Sequence, residues 1–310
     1  MKVLLTSTSF QDTPGKHHKL LESLSVNIDR LRGPLDENTL LTVIENYDGV
    51  ICGDDYFTSS VLHEGKKNNL KVISKYGIGL DKINLDVAEK LGIIVTNCPG
   101  VNHIAVAEHA FSLVLSFYKN IYEEICFTKN GEWKRLIGHE IANKSIGILG
   151  MGRIGKEIIY RSNAFGLKCF AYDVKIDKKF SDNNSVQICN SVEDLVSKVD
   201  ILSLNMNLNA TNHEIINKNI IKYHMKRGQL IVNCARGQLV SESAILFGLE
   251  NNIIDGYMTD VMAKEPISTN HPFISHPKIT ITPHIASRTF QSVQRQGIMA
   301  VENLKEHLFE

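Results

Sequence analysis

Gly150-Met151-Gly152-Arg153-Ile154-Gly155 sets three glycines where a short apolar run, Ile146 to Leu149, gives way to a helical pattern from Ile154 to Phe165. A second short apolar run, Phe170-Ala171-Tyr172, ends at Asp173, eighteen residues after Gly155. The order strand, glycine turn, helix, strand, acid suits one kind of chemistry. Gly150 permits a tight turn, Gly152 lets backbone approach a pyrophosphate, and Gly155 lets the helix pack closely on the strand. Unsatisfied N–H groups and a partial positive charge at the helix N-terminus then face the phosphates. Asp173 falls where a carboxylate accepts hydrogen bonds from the ribose hydroxyls of a dinucleotide. A carboxylate there repels a 2′-phosphate, which favours NAD over NADP, and Lys175 close by works against that preference. A structural turn followed by a surface Asp is the bland alternative, and it leaves the joint placement of three glycines and an acid unexplained.

Three further residues, Arg236, Glu265 and His284, each follow a run that reads as a strand: Leu230 to Asn233, Met258 to Val261, and Ile279 to Pro283. In an open α/β sheet, ligands bind outside the carboxyl ends of the strands, so all three fall on the edge that carries the glycine turn. Taken singly, the Arg is a surface charge, the Glu a loop residue before Pro266, and the His a structural residue. Together, beside a dinucleotide, they form a reducing site. Hydride transfer to a carbonyl needs a proton donor at the oxygen, and His titrates near neutral pH. A carboxylate on the second imidazole nitrogen fixes the tautomer and stabilises the imidazolium. An Arg grips a substrate carboxylate and polarises the adjacent carbonyl. That set fits reduction of a 2-oxo acid or oxidation of a 2-hydroxy acid.

The elements that must position these residues alternate strand and helix along the chain. Strands are expected at Val3-Leu4-Leu5, Gly49-Val50-Ile51 and Val72-Ile73, with helices near 17–24, 37–46 and 58–67, the last capped by Thr58. Lys75-Tyr76-Gly77-Ile78-Gly79 follows the third strand, and two glycines around one residue can present consecutive N–H groups to an anion. Asn97-Cys98-Pro99-Gly100 is a breaker and a candidate domain crossing. Residues 103–121 form a long apolar helix carrying Glu108 and His109, for which packing is the first reading. The polar stretch 122–143, with the only tryptophan, Trp133, reads as an arm or a subunit contact. After Asp173, Ser191 caps a helix to Lys198, Asp200 to Leu204 is a strand, and 288–309 is helical.

Composition narrows the classes. Thirty-four basic and 34 acidic residues cancel, which offers no electrostatic case for nucleic acid or an anionic membrane. No apolar run approaches membrane-spanning length, and the start, MKVLLTSTSF, reads as a strand rather than a secretion signal. Cys52, Cys98, Cys126, Cys169, Cys189 and Cys234 lack CxxC spacing, so reduced thiols in the cytoplasm and no metal site are expected.

The ordered series of motifs resembles the D-isomer-specific 2-hydroxyacid dehydrogenases, a family that includes D-3-phosphoglycerate, D-glycerate/hydroxypyruvate and D-lactate dehydrogenases. The resemblance covers nearly the whole chain: residues 75–83 (KYGIGLDKI), Thr96 to Gly100, Val106-Ala107-Glu108-His109, GMGRIG with Asp173, Asn233 to Gly237, Asp260-Val261 with Glu265-Pro266, and Thr282 to Ala286. It implies an α/β fold of two Rossmann-like, doubly wound parallel-sheet domains. The substrate domain would be discontinuous, 1–98 with 287–310, around a dinucleotide-binding domain at 99–286, with the site between them closing over both ligands. By resemblance Arg236, Glu265 and His284 are the catalytic set, and the backbone of Gly77, Ile78 and Gly79 holds the substrate carboxylate. Ile78, Arg153, Ile154, Asn207, Cys234 and Asp260 would line NAD beside Gly150, Gly152, Gly155 and Asp173, with Asp260 near the nicotinamide amide. A homodimer through the cofactor domain is also implied.

Two segments depart from the family pattern. Asn205, Asn207 and Asn209 stand where the pattern has His, Pro and Thr. After Ile51, where phosphoglycerate enzymes tend to carry a basic residue, this chain has Asp54-Asp55, partly offset by Lys75. The substrate, phosphorylated or not, therefore stays open between phosphoglycerate-like and glycerate/hydroxypyruvate-like acids. A dinucleotide-sensing corepressor on the same fold is the alternative from another class, and absence of turnover despite NADH binding would favour it.

Overall fold

Strands here are short and mostly apolar because parallel sheets covered on both faces bury every side chain of a central strand. The computed structural model describes residues 1–309 and divides into two compact units, Met1–Asn102 with Arg288–Glu310, and His103–Ser287. The first unit carries β1 (Lys2–Leu5), β2 (Asn27–Arg30), β3 (Gly49–Cys52), β4 (Val72–Lys75) and β5 (Ile94–Thr96). Their order is β2-β1-β3-β4-β5, and the pairings are parallel. The second carries β6 (Ser145–Leu149), β7 (Lys168–Tyr172), β8 (Gln187–Ile188), β9 (Ile201–Leu204), β10 (Gln229–Asn233), β11 (Ile254–Thr259) and β12 (Ile279–Ile281). Their order is β12-β11-β10-β9-β6-β7-β8, again parallel throughout. Both orders are doubly wound. The strand sequence of the larger sheet reverses between β6 and β9, the switch point at which such sheets bind ligands.

Each sheet has an apolar cluster on either face. In the first unit one cluster joins Val3, Leu5, Ile51 and Val72 to Val293, Ala300, Val301, Leu304 and Leu308 of the helix Phe290–Leu308. Burying each such side chain is worth about 1.5–3 kcal/mol, so the last helix is held by its apolar stripe to a sheet formed by the start of the chain. Polar ties add register: Ser74 Oγ donates to the Ala300 carbonyl at 2.7 Å, and Asn303 Nδ2 to the Asn97 carbonyl at 2.9 Å. The N-terminal side of this unit runs four residues further than the expected boundary at 98, because Val101 packs in that cluster and its carbonyl accepts from Arg295 at 2.8 Å.

The helix His103–Tyr118 spends its apolar residues inside its own unit, where Ala107, Ala110, Phe111, Leu113, Val114 and Tyr118 pack on β6, β10 and β11. The exposed apolar side chains lie just after it. Ile121, Tyr122 and Ile125 of the helix Ile121–Lys129 are about half exposed, and Trp133 and Ile137 are 78% and 92% exposed. The sequence places a strand at Met258 to Val261, whereas β11 ends at Thr259. The Thr259 hydroxyl accepts from Val261 N at 3.1 Å, so the chain turns at Asp260 instead of continuing.

Candidate active site

At the carboxyl end of β6, Gly150 has φ +98°, a conformation open to glycine, and its N–H donates to the Tyr172 carbonyl at 2.9 Å. Gly155 lies in the first turn of the helix Arg153–Ala164, where a Cβ would stand 2.3 Å from the Gly150 carbonyl oxygen. Gly152 is different: a Cβ there would meet nothing within 4 Å. Two glycines thus serve close packing and one faces open space. That is the arrangement a pyrophosphate needs, with the N-terminus of a twelve-residue helix behind it. Arg153 is exposed at the first helical position, and Ile154 packs partly on the core. Asp173, half-buried at the end of β7, accepts the Met151 N–H at 2.6 Å and the Lys175 N–H at 3.0 Å. The acid therefore also braces the glycine turn. Asn207 lies exposed beyond β9, and its backbone carbonyl accepts from Asn212 at 2.7 Å.

Arg236 follows β10, with its backbone carbonyl held by Asn233 Nδ2 at 2.9 Å and Nη1 donating to the Ala235 carbonyl at 2.7 Å. Cys234 precedes it, partly buried, its thiol pushed well up by burial and by the Asp260 carboxylate. Glu265 and His284 meet: Nδ1 of the imidazole lies 2.8 Å from Glu265 Oε2. The other carboxylate oxygen, Oε1, accepts the Met262 N–H at 2.9 Å, which holds the plane of the acid. His284 has φ +52°, left-handed for a residue with a Cβ.

That backbone is held by Asp260, which is 1% exposed. The His284 N–H donates to the Asp260 carbonyl oxygen at 2.9 Å, while its carboxylate accepts Ile285 N at 2.9 Å, Ala286 N at 2.8 Å and the Thr282 hydroxyl at 2.5 Å. His109 joins from the helix His103–Tyr118, with Nε2 2.9 Å from Thr282 Oγ1 and 3.5 Å from Asp260 Oδ1. Sequence reasoning gave His109 a packing role and missed this connection. The available signal was a polar pair, Glu108-His109, on an otherwise apolar helix.

Gly77, Ile78 and Gly79 lie in the first unit, after β4. Gly77 has φ +142°, its carbonyl accepts Cys98 N at 2.7 Å, and the Ile78 carbonyl accepts Asn97 Nδ2 at 2.8 Å. Both carbonyls are thus turned to donors of the same unit. Among the described residues no group of three or more His, Cys, Asp or Glu side chains is placed to hold a metal ion. No helix among them is long and apolar enough to cross a membrane.

Residues 111–286 match the family described as D-isomer specific 2-hydroxyacid dehydrogenase, NAD binding domain. The D-3-phosphoglycerate dehydrogenase of Methanocaldococcus jannaschii is 32% identical over 99% of this chain, which spans 57% of that protein. The corresponding Bacillus subtilis enzyme is 34% identical over 72% of the chain and 42% of its own length. The chain thus spans about half the length of these two relatives. The hydroxypyruvate reductase of Thermotoga maritima is 33% identical, over 88% of this chain and 89% of that one. Among solved structures, a Thermus thermophilus protein superposes with a TM-score of 0.87 at 30% identity, covering 98% of this chain and 96% of that one.

Proposed function

Because the chain belongs to the D-isomer-specific 2-hydroxyacid dehydrogenase family, we propose that it interconverts a 2-oxo acid and a D-2-hydroxy acid with NAD as cofactor. The observation that carries the reading is the 2.8 Å contact between His284 Nδ1 and Glu265 Oε2 on the sheet edge that holds the glycine turn.

NADH, when bound, would supply the hydride for reduction of the substrate carbonyl. The chain's own residues do the rest. Nδ1 of His284 is committed to Glu265, so proton exchange with the substrate oxygen runs through Nε2. In reduction that proton goes to the developing alkoxide, and in oxidation it returns from the hydroxyl. Glu265 stabilises the imidazolium while it carries the proton. Arg236 binds the substrate carboxylate and polarises the carbonyl next to it. In the first unit, the turn at Gly77, Ile78 and Gly79 would offer backbone N–H groups to a carboxylate, which supports reading Met1–Asn102 with the last helix as the substrate domain and His103–Ser287 as the cofactor domain. Gly150, Gly152, Arg153, Ile154 and Gly155 would hold the pyrophosphate, and Asp173 would take the adenosine ribose. Asn207 and Cys234 would line the cofactor; the family resemblance gives the same role to Ile78 of the first unit and to Asp260, which would act from behind the His284 loop that its buried carboxylate holds.

The exposed apolar series Ile121, Tyr122, Ile125, Trp133 and Ile137 supports a homodimer through the cofactor domain. All six cysteines are free, as in a reducing compartment, which supports a cytoplasmic location. The test is oxidation of NADH at steady state across a panel of 2-oxo acids, with light scattering for mass. Turnover of at least one acid, lost in His284→Ala, is expected. Tight NADH binding without turnover of any acid would replace this reading with a dinucleotide-sensing binding protein.

A further inference from the structure

We infer that the turn at Gly77–Gly79 selects 2-oxo acids with no second anionic group, and that Asp54 is the residue that rejects a phosphorylated one. The inference rests on the proposed function, since it takes the substrate carboxylate to sit against that turn.

Lys75, the last residue of β4, is the cation beside the turn: a Cβ built at Gly77 would lie 3.5 Å from Lys75 Cε and 4.0 Å from Nζ. A lysine in that position would suit a phosphate if its charge were available. It is already spent inside the domain. The ammonium donates to Asp54 Oδ1 at 2.6 Å and to the Gly53 carbonyl, and the lysine side chain is 5% exposed. Transferring that ammonium to a ligand phosphate would strip Asp54 of its counter-ion. Asp54 stays 36% exposed, so its negative charge remains at the surface next to the turn.

The loop cannot easily withdraw that charge. Asp55, 1% exposed, accepts Leu35 N at 2.5 Å, Gly53 N at 2.9 Å and the Thr6 hydroxyl, which pins residues 53–55 to the sheet. The Lys75 ammonium is therefore committed to Asp54, with the Asp55 carboxylate one residue further along the same pinned loop. A single carboxylate needs only the N–H groups of the turn, whereas a phosphate dianion brings like charge against Asp54.

Hydroxypyruvate and 3-phosphohydroxypyruvate differ only by the phosphate and make the test. With NADH saturating, kcat/KM for hydroxypyruvate is expected to exceed that for the phosphorylated acid by about 10²-fold, a like-charge penalty of ordinary size. Asp54→Asn, which keeps the shape and removes the charge, is expected to narrow that ratio about tenfold, mainly through KM of the phosphorylated acid. Asp54→Ser is the second variant should the amide disturb the loop, and the wild-type ratio stands whichever variant folds. A wild-type preference for the phosphorylated acid overturns this inference and leaves the dehydrogenase intact. A ratio unmoved in both folded variants overturns the role of Asp54. Turnover of neither acid, nor of any other in the panel, overturns both readings, beginning with the dehydrogenase.

Discussion

The backbone N–H of His284 donates to the backbone carbonyl of Asp260 at 2.9 Å, so the imidazole is tied to a residue twenty-four positions earlier on the neighbouring strand's end. The Asp260 side chain then takes Thr282, Ile285 and Ala286 on either side of it. One buried carboxylate thus sets the conformation of the loop that aims His284, including its left-handed φ.

Asp260→Asn is expected to loosen that loop. An amide offers one acceptor oxygen where the carboxylate offers two, and it turns a donor toward donors. Leaving a buried N–H unmatched costs about 1–3 kcal/mol. A lower melting temperature and a lower kcat are expected together in calorimetry and steady-state assays. A variant with wild-type stability would show that the loop holds itself.

His284→Ala is expected to lower kcat by about 10²-fold or more, the range for a lost general acid, with NADH affinity by fluorescence nearly retained. Glu265→Gln keeps the shape but removes the charge that stabilises the imidazolium. Reduction needs the protonated ring, so the fall in reduction rate with rising pH should set in at a lower pH than in wild type. An unmoved profile would limit Glu265 to a steric role.

Gly155→Ala puts a methyl 2.3 Å from a backbone oxygen and 2.9 Å from Ile148 Cγ2. Neither neighbour is the end of a flexible side chain, so the helix must move off β6, at a cost of about 1–3 kcal/mol. Isothermal titration should show NADH binding weakened about tenfold or more. Gly152→Ala meets nothing in the protein, so loss of affinity there reports the cofactor alone.

Asp200 gives a stability prediction with a sign. Burial would raise its carboxyl, but Lys226 at 2.5 Å and the Ser145 N–H and hydroxyl, both at 2.8 Å, outweigh it and hold it at about 2 against an ordinary 3.8. A lowered folded value contributes stability above the unfolded one, here about 2 kcal/mol, lost as pH falls from near 4 toward 2. Asp200→Asn should therefore melt earlier than wild type at pH 7, with the gap closing across that acid range. A gap that persists at low pH would mean the pair acts by packing and not by charge.

Central elements were legible because burial on both faces writes a continuous apolar run into the chain: β3, β4, β6, β9 and β10 were all found near their true positions. Strands β2, β5 and β8 were missed; each is an edge strand with exposed positions, and β2 and β8 carry no such run. The residue types and their order decided the dinucleotide turn, the acid at Asp173 and the Arg, Glu and His at strand ends, because local backbone constraints and strand polarity act within a few residues. Only the tertiary structure decided which nitrogen of His284 meets Glu265, that Asp260 holds the loop with His109 behind Thr282, and that Lys75 pairs with Asp54. Those pairings join residues from different strands and helices. Their distances follow from how the sheet stacks its strand ends together, which no spacing along the chain encodes.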